Sequence, residues 1–223
     1  MLAVTANKTS TTVSDMSTPA APVEGLRDRR RRETSIEICT AALDLFEQKG
    51  VAGTTVDEIA ARAGVSPRTF FRLAGTKEDA VFIDDERFVA ALQGLGAAGD
   101  DIPALMTGLR AVFARELQNL DADPRARERY LRVRRLIAHE PGLLGAAIRR
   151  EVTSSDRFVP EIAERIGRTD LEVRTAAGVA GLEMRTTLDE WARRVDRGES
   201  GSLVDLHQEV QARLAEAVGP ASA

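Results

Sequence analysis

The sequence predicts an all-α fold, with a small N-terminal three-helix unit followed by a C-terminal helical bundle. Three observations lead there. Apolar residues recur at steps of three and four along most of the chain, and no stretch alternates with period two for long. Capping residues, prolines and glycines punctuate those stretches at helical intervals. Aromatic residues make up only 4% of the 223 residues while alanine and arginine abound, which favours helix over strand. No internal repeat is present.

Residues 1–25 are rich in Ser, Thr, Ala and Pro without periodicity, so a disordered tail is expected. After "RDRRRRET", the stripe Ile36, Cys39, Leu43, Phe46 marks an amphipathic helix that Lys49 and Gly50 close. Cys39 lies on that stripe and reads as plain core. Thr55-x-x-Glu58 is a capping box opening a short helix through Val56, Ile59 and Ala60, which Gly64 ends. Ser66 is then an N-cap with Pro67 at the first helical position, and the helix to Leu73 spans barely two turns. Gly75 breaks it, and Thr76 caps a further helix expected through Val81, Ile83, Phe88, Leu92 and Leu95. The "GAAGDD" at 96–101 reads as a hinge.

Beyond it, helices are expected from Ile102 to Leu120 and from the Asp123-Pro124 start to Ala138. A longer one runs from Leu143 to Ile166, with a bend at Pro160. Thr169-x-x-Glu172 caps a helix to Val195, and Ser202 caps the last, which ends at Gly219-Pro220.

Composition narrows the function. A 43% hydrophobic, 30% charged chain without an apolar run of membrane length reads as soluble, and with no apolar leader segment as cytoplasmic. A single cysteine and two distant histidines make a poor metal supply, and no cofactor is expected. Net charge is −4, yet residues 27–77 carry +3 and residues 78–223 carry −6. A basic module on an acidic body suits a local nucleic-acid surface.

"GVSPRTFFRLAGTKED" carries the chemistry. Phe70 and Leu73 share one helical face and can anchor it, while Arg68, Thr69 and Arg72 share another. Arginine there can reach guanine O6 and N7 or a phosphate, and Thr69 a phosphate or a thymine methyl. N–H groups at Thr54-Thr55 and near Thr76 are candidates to face phosphates, with Lys77 adding a cation. The cluster Arg29 to Arg32 is either a solvated helix start or an arm along the phosphates, in which case Arg31 and Arg32 join the contacts.

Residues 36–80, "IEICTAALDLFEQKGVAGTTVDEIAARAGVSPRTFFRLAGTKEDA", resemble the DNA-binding domain of TetR-family transcriptional regulators. The likeness implies a homodimer with a helix-turn-helix DNA-binding domain at 26–75 and a helical ligand-binding and dimerisation domain at 76–219. It places Thr55, Ser66, Arg68, Thr69, Phe71, Arg72 and Lys77 at DNA, with Pro67 at the helix start a further candidate contact, on a near-palindromic double-stranded operator with half-sites about 34–36 Å apart. It also implies a repressor released by a small effector. Phe71 stands where the family has tyrosine, which removes a phosphate-binding hydroxyl. Ala74 stands where it has phenylalanine, a large-to-small change of roughly 3–5 kcal/mol unless neighbours collapse.

"YLRVRRLIAHEPGLLGAAIRREV" and "GLEMRTTLDEWARR" resemble family members that bind acyl-CoA or fatty-acid-like ligands. Arg134 lies inside the apolar arc of Tyr130, Leu131, Val133, Leu136 and Ile137, so it needs a partner: an internal carboxylate (Glu183 or Glu116) or a ligand anion or carbonyl. Met106, Phe113, Leu143, Met184 and Thr187 complete the expected pocket with Tyr130, Arg134 and Ile137. The stripe Val173, Ala177, Ala180, Met184, Leu188, Trp191 and the last helix's Leu203, Leu206, Val210, Leu214 are expected to form the dimer contact, since Leu171, Gly178, Val179 and Leu182 are apolar on the other side. His139 and His207 read as structural or solvated. An enzyme is the rival reading, but a di-iron Glu-x-x-His is missing: Leu136 and Val204 precede the two histidines by three. No phosphate-binding loop is present either. A helix-turn-helix used for protein contact alone is the other alternative, disfavoured by the outward arginines.

Overall fold

The computed structural model describes residues 25–82 and 101–219. Among them are eight α-helices and no strand: α1 (Leu26–Lys49), α2 (Val56–Arg62), α3 (Pro67–Leu73), α4 (Ile102–Ala122), α5 (Pro124–His139), α6 (Pro141–Ile166), α7 (Asp170–Asp196) and α8 (Leu203–Val218). A single 3-10 turn, Asp79–Phe82, follows α3. The expected helix through Ile83, Phe88, Leu92 and Leu95 and most of the 96–101 hinge lie outside the described residues.

The caps formed where the sequence placed them. Thr55 and Thr169 each close a full capping box, with Glu58 and Glu172. Ser66, Asp123 and Ser202 accept hydrogen bonds from the first amides of α3, α5 and α8. Gly50, Gly64 and Gly75 all take positive φ, so each turn of the head ends on the residue for which that backbone is least costly. α1 begins ten residues before its apolar stripe: the arginine cluster forms its first turns. α6 continues through Pro160 to Ile166, with Gly167 as its left-handed C-cap.

Helix α7 is the axis of the body, touching α4, α5, α6 and α8. One core gathers Leu105, Leu109, Phe158, Val159, Ile162, Val173 and Ala180. A second gathers Leu117, Leu120, Trp191, Leu203, Leu206 and Val210. The head's core holds Ile38, Leu43, Phe46, Ile59 and Phe70, but packing continues past residue 75: Ala80, Val81, Val133, Ile137 and Leu143 belong to it too. Polar contacts reinforce this joint. Arg132 of α5 donates to Asp44 at 2.7 Å and to Glu47 at 2.7 and 2.8 Å on α1. Glu140 accepts from the Val51 amide at 3.4 Å. Burial works against the Asp44 carboxylate, but its bonds to Arg132 and Arg62 hold its pKa below the ordinary value.

The dimer stripe expected on α7 and α8 needs correction. Val173, Ala180, Trp191, Leu203, Leu206 and Val210 are buried within the single chain, and Ala177, Met184, Leu188 and Leu214 are half-buried beside them. A helix apolar on two faces does not say which face meets its own neighbours. Here the stripe turned inward, and Leu171, Val179 and Leu182 were left exposed.

Candidate nucleic-acid interface and cavity

The recognition surface rests on α3. Ser66 Oγ accepts from the Thr69 amide at 3.1 Å and lies 3.0 Å from Thr69 Oγ1, fixing the first turn beside Pro67. Phe70 is fully buried and fastens the helix to α1 and α2. Arg68 and Arg72 are exposed, and neither makes an ion pair or hydrogen bond among the described residues. Phe71 is 56% exposed and meets Phe70 edge-on, ring centres 5.8 Å apart. It is therefore a surface aromatic on the arginine side. A short, capped helix thus holds two uncompensated cations outward.

Other expected contacts fall elsewhere. Thr54 is 1% exposed, and its hydroxyl donates to Gly50 O at 2.9 Å, so its side chain cannot reach a phosphate. The amides thought to be open are closed: Thr54 N–H donates to Val51 O, Thr55 N–H to Glu58 and Thr76 N–H to Ala74 O. Thr55 stays exposed, though its hydroxyl donates to Glu58. Lys49 and the Thr55 amide and hydroxyl lower the Glu58 carboxyl to about 2. Lys77 turns inward, its ammonium donating to Val51 O at 2.7 Å and Thr54 O at 3.0 Å. That ammonium clamps the turn between α1 and α2. Arg31 is exposed and Arg32 half-buried, both on α1. Sequence spacing could not foresee the Lys77 clamp, because its acceptors lie 23 and 26 residues away.

The body holds a half-open cavity of about 310 Å³ between α4, α5, α6 and α7. Leu105, Leu109, Phe113, Phe158, Val159, Ile162 and Val173 make its apolar wall, and Arg134, Arg150, Glu151, Ser154, Ser155 and Arg185 its polar part. Of the expected pocket residues, Phe113, Arg134, Ile137 and Met184 line it. The other four do not. Leu143 is fully buried in the head's core, Tyr130 packs against the core of Leu117, Trp191 and Leu203, and Met106 packs against the adjoining core. Thr187 is buried, donating to Glu183 O at 2.7 Å and lying 3.0 Å from His207 Nδ1.

Arg134 pairs with Asp189, one of neither of the carboxylates anticipated. Glu183 pairs instead with Arg110, at 3.1 Å from Nε and 2.5 Å from Nη2. That bond raises the Arg110 pKa despite partial burial. His207 is 1% exposed, and burial lowers its pKa; its Nε2 lies 2.9 Å from Gln211 Nε2. His139 is exposed at the end of α5.

Two groups unsuspected from sequence join cavity to head. Phe82 lines the cavity while Ala80 and Val81, just before it, are buried in the head's core. Arg150 donates to Phe82 O at 3.0 Å and lies 5.7 Å over its ring. Ile137 belongs to both the lining and that core.

Comparison with known proteins agrees with this architecture. The family model described as "Bacterial regulatory proteins, tetR family" matches residues 38–81. The HTH-type transcriptional regulator TcmR of Streptomyces glaucescens is 34% identical over 196 residues, 83% of this chain and 84% of that one. The chain belongs to the TetR family. As a TetR-family member it is a DNA-binding transcriptional regulator, with α1–α3 as its helix-turn-helix head. The fold agrees with NalD, a repressor of the MexAB-OprM multidrug efflux pump in Pseudomonas aeruginosa. That likeness has a TM-score of 0.50 at 17% identity and covers 83% of this chain and 96% of NalD. Among the described residues of this TetR-family chain, no helix is long and apolar enough to cross a membrane.

Proposed function

We infer that the protein is a dimeric repressor that holds a near-palindromic operator in the cytoplasm and is released by a small apolar or acyl-type effector. Residues 26–75 read the DNA; residues 76–219 bind the effector and pair the subunits. The observation that carries the reading is the pair Arg68 and Arg72, exposed and uncompensated on a helix fastened by buried Phe70. Arginines so placed serve base edges or phosphates, with Ser66, Thr69 and Phe71 beside them.

Effector control follows from the shared residues. A ligand against Phe82 and Ile137 pushes on side chains whose neighbours hold α1, so it favours one head orientation over the other by its differential contacts. The exposed Leu171, Val179 and Leu182 face of α7 supplies the twofold contact, in place of the buried stripe. A gel shift with the DNA upstream of the protein's own gene, repeated across salt concentrations, tests the reading. Specific retardation lost in Arg68→Ala/Arg72→Ala supports it; none from the folded wild type refutes it. Sedimentation at micromolar concentration checks the dimer, and Leu182→Glu should yield monomers.

A further inference from the structure

We propose that the cavity takes an apolar molecule bearing neutral acceptor oxygens, such as an ester, ketone or ether, in preference to an anion or a CoA thioester. This rests on the reading of the cavity as the effector site and names the chemistry it selects.

The three cations lining the cavity are all engaged. Arg134 pairs with Asp189. Arg185 Nη1 lies 2.9 Å from Glu151 Oε2. Arg150 is held by the carbonyl and ring of Phe82. A ligand carboxylate would have to displace one of these partners or lie without a counter-charge against Leu105, Leu109, Phe113 and Phe158. The phosphates of a CoA thioester would meet the same obstacle several times over.

Hydrogen-bond donors, by contrast, are unused. Arg134 Nε is buried and has no acceptor, although the charge of the same guanidinium is already balanced. The hydroxyls of Ser154 and Ser155, on the α6 part of the lining, make no hydrogen bond among the described residues. A buried N–H without a partner favours any ligand that brings it an acceptor, and a neutral oxygen does so without a desolvated charge. The lining therefore offers donors and apolar surface but little unpaired charge.

Calorimetry on the full chain with four probes tests this: methyl 2-naphthoate, 2-naphthoate, 2-ethylnaphthalene and decanoyl-CoA. The ester should bind at least about tenfold more tightly than each of the others. Ser154→Ala/Ser155→Ala should weaken the ester about fivefold, one net hydrogen bond, and leave 2-ethylnaphthalene unchanged. Tighter binding of 2-naphthoate or decanoyl-CoA would overturn the preference while leaving the cavity as an effector site. Equal binding of ester and 2-ethylnaphthalene, or an ester unaffected by the serine changes, would overturn the role of the donors. Failure of all four to bind the folded protein at millimolar concentration would overturn both this preference and the effector reading.

Discussion

Arg110→Met tests the polar contact that joins α4 to α7 one residue from the cavity-lining Met184. Glu183 is fully buried, and both its carboxylate oxygens are bonded to Arg110. Its neighbour Thr187 bonds the Glu183 backbone carbonyl, not the carboxylate. Removing the guanidinium therefore leaves a buried carboxylate without its donor, a loss of about 3–5 kcal/mol. The Arg110 side chain is 41% exposed, so water can reach part of the vacated space and the lower figure, about 3 kcal/mol, is expected. For a chain of this size that lowers Tm by roughly 6–12 °C. Arg110→Met/Glu183→Met should recover most of the loss, because no charge remains to be desolvated. Urea and thermal unfolding followed by circular dichroism supply the measurement. A loss below about 1 kcal/mol at pH 8, or a double variant no more stable than the single, would refute the reasoning.

Three further outcomes follow from the geometry. Arg68→Ala and Arg72→Ala should each weaken operator binding by about 1–3 kcal/mol in a gel shift while leaving Tm within about 1 °C, since both side chains are exposed and uncompensated. Lys77→Met should instead lower head stability by about 1–3 kcal/mol, with the salt dependence of DNA binding nearly unchanged, because its ammonium serves Val51 O and Thr54 O. A salt slope reduced by about one unit would return Lys77 to the DNA surface. Burial holds His207 below its ordinary 6.5, so the unfolded chain takes up that proton first. Its contribution is complete above pH 6.5 and declines as pH drops, and His207→Gln should flatten that decline in urea unfolding; an unchanged slope would count against it.

Most of the secondary structure was legible because its determinants are local. A capping box needs only Thr55 and Glu58 three residues apart, and a helix stop only a glycine at Gly50, Gly64 or Gly75. The same holds for the α3 surface, since two residues, about half a turn of helix, separate anchoring Phe70 from outward Arg68 and Arg72. Trouble began with contacts between distant segments. Arg134 was expected to need a partner, and it has one, but Asp189 is 55 residues away. Tyr130 and Leu143 were expected at the cavity, and each instead serves a neighbouring core.

By itself the sequence determined where helices start and stop, which short helix carries outward arginines, and that the body would be apolar inside. Those follow from φ preferences, capping and a 3.6-residue period, all acting within a few residues. Tertiary structure alone decided which apolar side of α7 turned inward, that Lys77 clamps a turn, and that Phe82 and Arg150 link cavity to head. Each depends on which distant groups arrive beside it, because burial and hydrogen-bond satisfaction are settled by neighbours in space.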